Sequence, residues 1–559
     1  MRSTMQDHGL LISGILRYGK EVYGSTRVVT YSPKGNRVAT IAQIADNAAR
    51  LASALRRIGI EPDERVATLA WNTQEHLEAY FAVPGFGAVL HTLNMRLSAD
   101  HLEFIVNQAK DRAIIVDEGL LPILTPLMAN LPTVKHLVVI GQDDLPELPR
   151  VNVIRFSDLL TTGTADFEWP VLDERSAAAM CYTSGTTGQP KGVVYSHRSS
   201  YLHSMLVCTT NAFGLSDQDS VMPIVPMFHA NAWGIPYASF LAGAELLLVG
   251  PHPQPGPLLE LIKAESPTVA GGVPTILNDL LIEAARADVD LSCLRMVFCG
   301  GSAVPQSMIE TFRDRYGVRL AQAWGMTETS PLVTVSRVPR GTPKAAEVDA
   351  MVKSGRILGG TEVRIVDDAG LELPRDGAAI GELEVRGPWI TGSYYDIDVP
   401  DKFNDGWLRT GDAGTIDASG TVQLTDRLKD VIKSGGEWIS SIDLENALIA
   451  HPSVADAAVI AIPDDRWQER PLACVVANEG ASPTAAELRE FLAAKVVSWW
   501  LPENWSFIAE VPKTSVGKKD KKELRALYAA GRLAVTRARA AAVLPAHQDL
   551  LPLHTAAGQ

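Results

Sequence analysis

Residues 182–193 read Tyr-Thr-Ser-Gly-Thr-Thr-Gly-Gln-Pro-Lys-Gly-Val, directly after an apolar run, Ala177–Cys181. Glycines 185, 188 and 192 let the backbone turn tightly and aim its N–H groups at one anion. The hydroxyls of Thr183, Ser184, Thr186 and Thr187 add short donors, and Lys191 adds a point charge suited to phosphate. An apolar strand that feeds such a loop makes a polyphosphate cradle. It is not a Walker A loop, because Lys191 is followed by Gly192 and the Gly-to-Lys spacing differs. A Gly/Ser/Thr cluster alone would be a surface turn, so the surrounding chain has to carry the assignment.

The 559 residues exceed one ordinary domain, and 46% hydrophobic content supports two or more packed cores. A formal net charge of −14 argues against a nucleic-acid-binding surface. The five cysteines (181, 208, 293, 299 and 474) form no C-x-x-C pair. Disulfide-framework and zinc readings are therefore weak, and buried thiols in a reducing cytoplasm are expected. No apolar signal core opens the chain, and no stretch reaches the ~18 uninterrupted apolar residues of a membrane span. A cytoplasmic protein is expected; peripheral membrane contact and a homodimer stay open.

Hydrophobic spacing outlines the architecture. Ile41, Ile44, Ala48, Leu51, Leu55 and Ile58 recur at steps of three and four, as on one helix face, with Thr40 and Gln43 placed for a capping box. Short apolar runs at 66–70, 113–116, 136–140, 246–249 and 296–298 read as strands between helical patterns. Past Gly355 the texture becomes β-like, at 362–366 and 381–386. Beyond Asp426 a small mixed segment follows, with helices at 442–450 and 485–497 and strands at 457–462 and 473–476. The expected fold is α/β: a large N-terminal domain of packed sheets and helices with a β-rich subdomain (1–426), a hinge (427–430), and a small mobile α+β C-terminal domain (431–530). Residues 531–559 are expected to form a helix and a loose tail.

The loop at 182–193 closely resembles the signature loop of the adenylate-forming (ANL) superfamily: acyl-CoA synthetases, luciferases and peptide-synthetase adenylation domains. Further matches follow in the superfamily's order. Gly300-Gly301-Ser302-Ala303 ends an apolar strand. Gln322-Ala323-Trp324-Gly325-Met326-Thr327-Glu328-Thr329 comes next, then Trp407-Leu408-Arg409-Thr410-Gly411-Asp412. Arg427-Leu428-Lys429-Asp430-Val431-Ile432-Lys433-Ser434-Gly435-Gly436-Glu437 and Pro512-Lys513-Thr514-Ser515-Val516-Gly517-Lys518 complete the series.

That resemblance implies an ATP/AMP site made of Thr183, Ser184, Gly185, Thr186, Thr187, Gly188 and Lys191, with Gly301, Ser302, Ala303, Ala323, Trp324, Gly325, Met326, Thr327, Asp412, Arg427 and Lys518. Thr183 and Glu328 would hold Mg²⁺, a hard cation that takes oxygen ligands. Asp412 would accept from the ribose hydroxyls, Arg427 would pair with ribose or phosphate oxygens, and Lys429 would be the hinge. Lys518, Thr327, Glu328 and His229 would be catalytic. Trp324 stands where the superfamily usually has Tyr: the flat ring is kept and a phenol is lost.

Three branches compete for the second step: transfer to free coenzyme A, transfer to a carrier protein, or oxidation of the adenylate by O₂. About 30 residues follow position 530 and hold no phosphopantetheine-type Ser site. Lys433, Ser434, Gly435, Gly436 and Trp438 resemble the fatty acyl-CoA synthetase loop that contributes to the CoA channel. Val225-Pro226-Met227-Phe228-His229-Ala230-Asn231-Ala232-Trp233-Gly234 resembles the same enzymes, which makes Trp233 a candidate acyl gate, with His229 and Gly301 in the acyl pocket. The Trp438–Asn446 segment is also similar to medium-chain and 3-methylmercaptopropionate–CoA ligases. Gly271, Gly272, Gly301 and Ala303 are expected to leave room for a chain. The expected reaction joins a small carboxylic acid, of medium to long chain, to CoA with ATP and Mg²⁺. A short or substituted acid, an aryl acid, and delivery to a carrier protein are the alternatives.

Overall fold

The computed structural model describes residues 1, 3–142, 144–183, 189–434, 437–464, 466–514 and 518–538. Ser184, Gly185, Thr186, Thr187, Gly188, Gly435, Gly436 and the tail from 539 lie outside the described residues, as do the side chains of Lys433 and Trp438. The chain divides into two compact units. One comprises Met1–Lys429 with Lys513–Lys519; the other comprises Asp430–Pro512 with the segment from Asp520 onward.

The first unit is built on two large sheets. The seven-stranded sheet runs in the order 152–155, 136–140, 111–117, 65–69, 89–92, 177–182 and 192–196. Every pairing is parallel except the last, where Ala177–Tyr182 and Gly192–Ser196 run antiparallel on either side of residues 183–191. The strands read as continuous apolar runs because helices cover such sheets on both faces. The fourteen-stranded sheet joins a parallel half to an antiparallel half. Its parallel half carries Ser220–Pro223, Val269–Gly272, Met296–Gly300 and Arg319–Gly325. Its antiparallel half carries Glu362–Val366, Gly381–Arg386, Trp407–Ile416 and Thr421–Arg427. The helix Ile41–Arg57 opens with the expected capping box between Thr40 and Gln43, and its buried stripe includes Ile41, Ile44, Ala48, Leu51 and Leu55.

The second unit folds around a six-stranded sheet with the helices Ser441–Ile449, Ala485–Ala493 and Lys521–Ala529. Its core includes Ile432, Leu444, Val459, Val475, Leu488 and Trp505. One local expectation is corrected. The helix expected over 485–497 stops at Ala493, where Lys495 and Val496 both donate back to the Leu492 carbonyl and the β-branched pair Val496-Val497 follows. The helix Lys521–Ala529 ends before the segment 531–559 expected as a helix and loose tail, most of which lies outside the described residues. Gly531 N–H returns to the Tyr528 carbonyl and Arg532 N–H to that of Leu527, which closes the last turn. Thr536–Arg537 then pairs as a short strand with Asn504–Phe507. No helix among the described residues is long and apolar enough to cross a membrane. All five cysteines are free thiols.

Candidate functional site

Parallel strands place the residues that follow them at a common edge, and open α/β sheets bind ligands at that edge. Thr183 follows Ala177–Tyr182, and the chain returns at Lys191. The ends of the loop are clasped: Thr183 N–H donates to the Lys191 carbonyl at 3.0 Å, and Lys191 N–H donates to Thr183 Oγ1 at 3.1 Å. One lone pair of the Thr183 hydroxyl is thus spent on the clasp. The Lys191 ammonium lies 5.2 Å from the centre of the Tyr394 ring, a cation–π distance.

Tyr394 makes a second link. Its hydroxyl donates to Glu328 Oε1 at 2.8 Å, and burial beside that carboxylate pushes the phenol pKa well up. Thr391 N–H donates to the Glu328 carbonyl and Tyr395 N–H to the Gly192 carbonyl. The 391–395 segment therefore straps the cradle's return strand to the Thr327–Thr329 turn. Tyr195, on the same strand, donates its hydroxyl to the Thr327 carbonyl at 2.7 Å. Nothing in the sequence singled out Tyr394; its signal is only an aromatic pair far from any motif.

Asp412 sits in the strand Trp407–Ile416, directly opposite Arg427 on Thr421–Arg427. The register makes them a cross-strand pair: Arg427 Nε lies 2.7 Å from Asp412 Oδ1, with the carboxylate nearly buried. The other oxygen, Oδ2, accepts the Trp324 indole N–H at 2.8 Å. The tryptophan in place of tyrosine thus does more than keep a flat ring, because its N–H fixes a carboxylate. Gly411 precedes Asp412 with φ +72°, a left-handed conformation that favours glycine. Its N–H donates to Glu382, which also binds Arg409. Trp324→Phe removes one donor to a carboxylate, worth about 1.5 kcal/mol. The expected result is a roughly tenfold higher KM for ATP at an unchanged KM for the acid, read from initial rates.

Lys518 belongs to the first unit through the 513–519 segment. A Cβ built on Gly301 would lie 3.6 Å from Lys518 Cε. Partial burial and the nearby Arg427 guanidinium lower the ammonium pKa to about 8, while Asp412 and Glu328 pull it upward. Lys518, Arg427, Asp412, Glu328 and Gly301 therefore share one neighbourhood. His229 joins it: burial, then the charges of Lys518 and Arg96, lower its pKa to about 4, so the imidazole is neutral at pH 7. Ser302 and Ala303 continue from the end of Met296–Gly300, and Ala323, Trp324 and Gly325 end the adjacent strand. Thr327 is buried, and Met326 opens its turn.

His229 and Trp233 are held by contacts the sequence did not reveal. Asn72 donates from Nδ2 to the Pro223 and Val225 carbonyls at 3.1 and 2.9 Å, and accepts from Met227 N–H at 2.8 Å. Residues 230–234 then form a left-handed turn, with φ of 42, 51, 48, 57 and 74°. Asn231 Oδ1 accepts from the Cys181 thiol at 2.9 Å, which ties the turn to the strand feeding the cradle. The Trp233 ring packs 5.8 Å from that of Phe298, which in turn stacks 4.4 Å from Phe213. Here one expectation fails. Gly271 leaves no room for a chain, because its Cβ position would lie 1.7 Å from Phe298 Cε2. The space is filled by an aromatic ring. A Cβ at Gly272 would make only ordinary contacts, at 3.6 Å or more.

Lys429 is the last residue of the long segment of the first unit. Ser434 is buried in the second unit, where its hydroxyl accepts from Arg470 at 3.2 Å. Lys433 and Trp438 contribute backbone to the strands Ile432–Ser434 and Glu437–Ile439. No group of three or more His, Cys, Asp or Glu side chains among the described residues could hold a metal by itself. Glu328, a single carboxylate whose Oε1 accepts from Tyr394, is the kind of ligand Mg²⁺ takes together with phosphate and water.

Two family profiles match the chain, one described as AMP-binding enzyme over residues 19–395 and one as AMP-binding enzyme C-terminal domain over residues 443–518. The chain is similar to a 3-methylmercaptopropionyl-CoA ligase of Ruegeria lacuscaerulensis, at 44% identity across 94% of this chain and 98% of that protein. It is similar to a long-chain-fatty-acid–CoA ligase of Thermus thermophilus, at 43% identity across 94% of this chain and 97% of that protein. It is 40% identical to a medium-chain-fatty-acid–CoA ligase of Ectopseudomonas oleovorans across 94% of this chain and 98% of that protein. Among solved structures, an anthranilate CoA ligase in complex with anthranoyl-AMP superposes with a TM-score of 0.85 at 25% identity, covering 95% of this chain and 99% of that one. With profiles spanning most of its length and relatives at 40% identity or more, the chain belongs to the AMP-binding enzyme family of adenylate-forming enzymes.

Proposed function

We propose that the protein is an AMP-forming acid–CoA ligase that activates an apolar monocarboxylate, with medium- to long-chain fatty acids as the favoured class. The observation that carries this is the meeting of Lys518, Arg427, Asp412 and Glu328 beside the neutral His229. Cations for phosphate oxygens and a carboxylate for a ribose stand next to a polar group that carries no charge. In the first step a carboxylate oxygen attacks the α-phosphorus of ATP, and the bond to the leaving diphosphate breaks. Two anions must approach each other, so the barrier falls through positioning and charge neutralisation. Lys518 and the cradle donors supply these, with Thr327 at the α-phosphate. Mg²⁺, when bound through Glu328 and the second lone pair of Thr183, supplies further positive charge. In the second step the CoA sulfur attacks the acyl carbon, AMP leaves with the bonding pair, and the thiol proton passes to solvent.

The Lys518 ammonium must be charged for the first step. Its pKa of about 8 puts it mainly in the cationic form at pH 7 and mainly neutral at pH 9. The kcat/KM profile for ATP should therefore show a basic limb near pH 8, since that parameter reports free-enzyme groups. His229 should add no acidic limb above pH 5.

Trp233 is proposed as the acyl gate, because a left-handed turn holds its ring 5.8 Å from that of Phe298. We assign Lys429 as the hinge, Ser434 and its sequence neighbours Lys433, Gly435, Gly436 and Trp438 to the CoA path, and the protein to the cytoplasm. A substituted short acid is the second reading, supported by the 3-methylmercaptopropionyl-CoA ligase relatives at 44% and 45% identity. CoA-dependent AMP release should be measured with acids from propionate to palmitate, 3-methylmercaptopropionate and aryl acids. The highest kcat/KM is expected between octanoate and palmitate. Activity confined to 3-methylmercaptopropionate would select the second reading, and activity confined to aryl or amino acids would overturn both.

A further inference from the structure

We propose that Lys521 is a positioning residue for Lys518: its ammonium, locked to Glu445 and Ser441, fixes the neck from which the Lys518 segment leaves the second unit. The proposal rests on the ligase reaction described above, in which Lys518 serves acyl-AMP formation.

The chain path supplies the first ground. Lys513–Lys519 groups with the first unit, yet Pro512 and Asp520, on either side of it, both belong to the second. The segment therefore has one neck. Asp520 N–H closes it on the Pro512 carbonyl at 2.7 Å, and Lys513 pairs with Lys519 just beyond. Thr514 N–H donates to the Lys518 carbonyl at 2.7 Å, and Lys518 N–H donates to Thr514 Oγ1 at 3.2 Å. These bonds tie Lys518 to the neck. Asp520 also caps the helix Lys521–Ala529, accepting from Glu523 N–H at 3.1 Å. Whatever holds the first turn of that helix holds the neck.

Burial and charge supply the second ground. In sequence, Lys518-Lys519-Asp520-Lys521-Lys522 reads as a solvated basic run. Lys522 is exposed, but Lys521 is buried. Its Nζ lies 2.7 Å from Glu445 Oε1, with the two side chains 10% and 7% exposed, and it also donates to the Ser441 hydroxyl. Glu445 Oε1 accepts from Val459 N–H at 2.9 Å as well, so the carboxylate is itself fixed to the strand Val454–Asp464. Desolvation cancels most of what a buried ion pair returns, so the pair adds little stability; what it adds here is one enforced arrangement. Apolar packing already anchors the helix, through Leu524 beside Ile460 and Val511. The ion pair sets where its first turn sits. Further along, Arg525 holds Asp430 at 2.7 Å. Asp430 follows Lys429, the assigned hinge. One helix thus connects the neck of Lys518 to the residue after the hinge.

Lys521→Met and Lys521→Arg should be compared with the unchanged protein in the two half-reactions. Acyl-AMP formation by the Met variant should fall about 10²-fold in kcat, the usual cost of misplacing a reacting group by about 1 Å. Its KM for ATP should stay within about twofold, because the lost contact belongs to the transition state. The Arg variant should recover most of the loss. Thioester formation from supplied acyl-AMP and CoA should continue near the original rate, which also reports an intact fold. Lys518 gives a readout that needs no turnover. Its labelling by acetic anhydride, followed by peptide mass spectrometry, should show a midpoint near pH 8 in the unchanged protein. In the Met variant Lys518 escapes the burial and the Arg427 charge that lower its pKa, so the midpoint should rise. If the single variant does not fold, Lys521→Met combined with Glu445→Gln leaves no unpaired buried charge and keeps an acceptor for Val459 N–H, and it should show the same asymmetry. Equal losses in both half-reactions would overturn the assignment. So would acyl-AMP formation and a labelling midpoint equal to those of the unchanged protein. A risen midpoint in the Met variant of a protein that forms no acyl-AMP from any acid would overturn the ligase reading and leave Lys521 as the residue that places Lys518.

Discussion

Lys518→Ala should lower acid-dependent diphosphate release by ~10²–10³-fold, the usual cost of removing one charge-stabilising donor. Conversion of supplied acyl-AMP and CoA to thioester should continue near the original rate. The asymmetry follows from where charge builds up. Lys518 shares its neighbourhood with Arg427, Asp412, Glu328 and Gly301, where the carboxylate and the α-phosphate would meet. Thioester formation moves a thiolate onto a neutral acyl carbon and has no such clash of anions. Lys518→Arg keeps a cation whose pKa is far above 8, so its residual activity should lose the basic limb near pH 8. Full diphosphate release by the alanine variant would remove Lys518 from the first step.

Asp412→Asn should damage both half-reactions, each by ~10²-fold in kcat/KM, because AMP or its acyl ester occupies the site throughout. The amide keeps the shape of the carboxylate but loses its charge. It leaves Arg427 without its 2.7 Å partner and offers the Trp324 N–H a weaker acceptor. The surviving Arg427 is half-exposed and can turn to water, so the stability cost falls on the buried Asp412 position, which loses its charge-assisted bonds. The melting temperature should fall as well, and by more than in Trp324→Phe, which removes one donor to the same carboxylate. Stopped-flow thioester formation from supplied acyl-AMP separates the two variants: slow for Asp412→Asn and close to unchanged for Lys518→Ala. Equal behaviour of the two would contradict separate roles for the ribose and phosphate ends of the site.

Much of this site was legible because its parts are short and locally constrained. The expected cradle needs glycines and hydroxyls after a strand; Ala177–Tyr182 is a strand there, while Ser184–Gly188 lie outside the described residues. The pairing of Asp412 with Arg427 was less visible, since it depends on a register between strands that each look ordinary alone. The Trp324–Asp412 bond joins residues 88 apart in sequence, and no periodicity points to it. Tyr394 and Asn72 were missed for the same reason: each lies in a loop whose neighbours come from distant strands. The left-handed turn at 230–234 was hidden because only Asn231 and Gly234 favour that conformation by type. Gly271 was misread because a small residue signals close approach without saying of what, and here the approaching group is the Phe298 ring. Helix ends fared worst, as at Ala493, because the last turn depends on which carbonyls are capped.

Attack of the acid on the α-phosphate of ATP can be tested by following an oxygen atom. Octanoate enriched with heavy oxygen in its carboxyl group should be turned over with ATP and CoA, and the products examined by mass spectrometry. Acyl-AMP formation followed by thiolysis leaves one substrate oxygen on the phosphate of AMP, with none in diphosphate. Label in orthophosphate released with unlabelled ADP, and none in AMP, would contradict an adenylate and require an acyl phosphate instead.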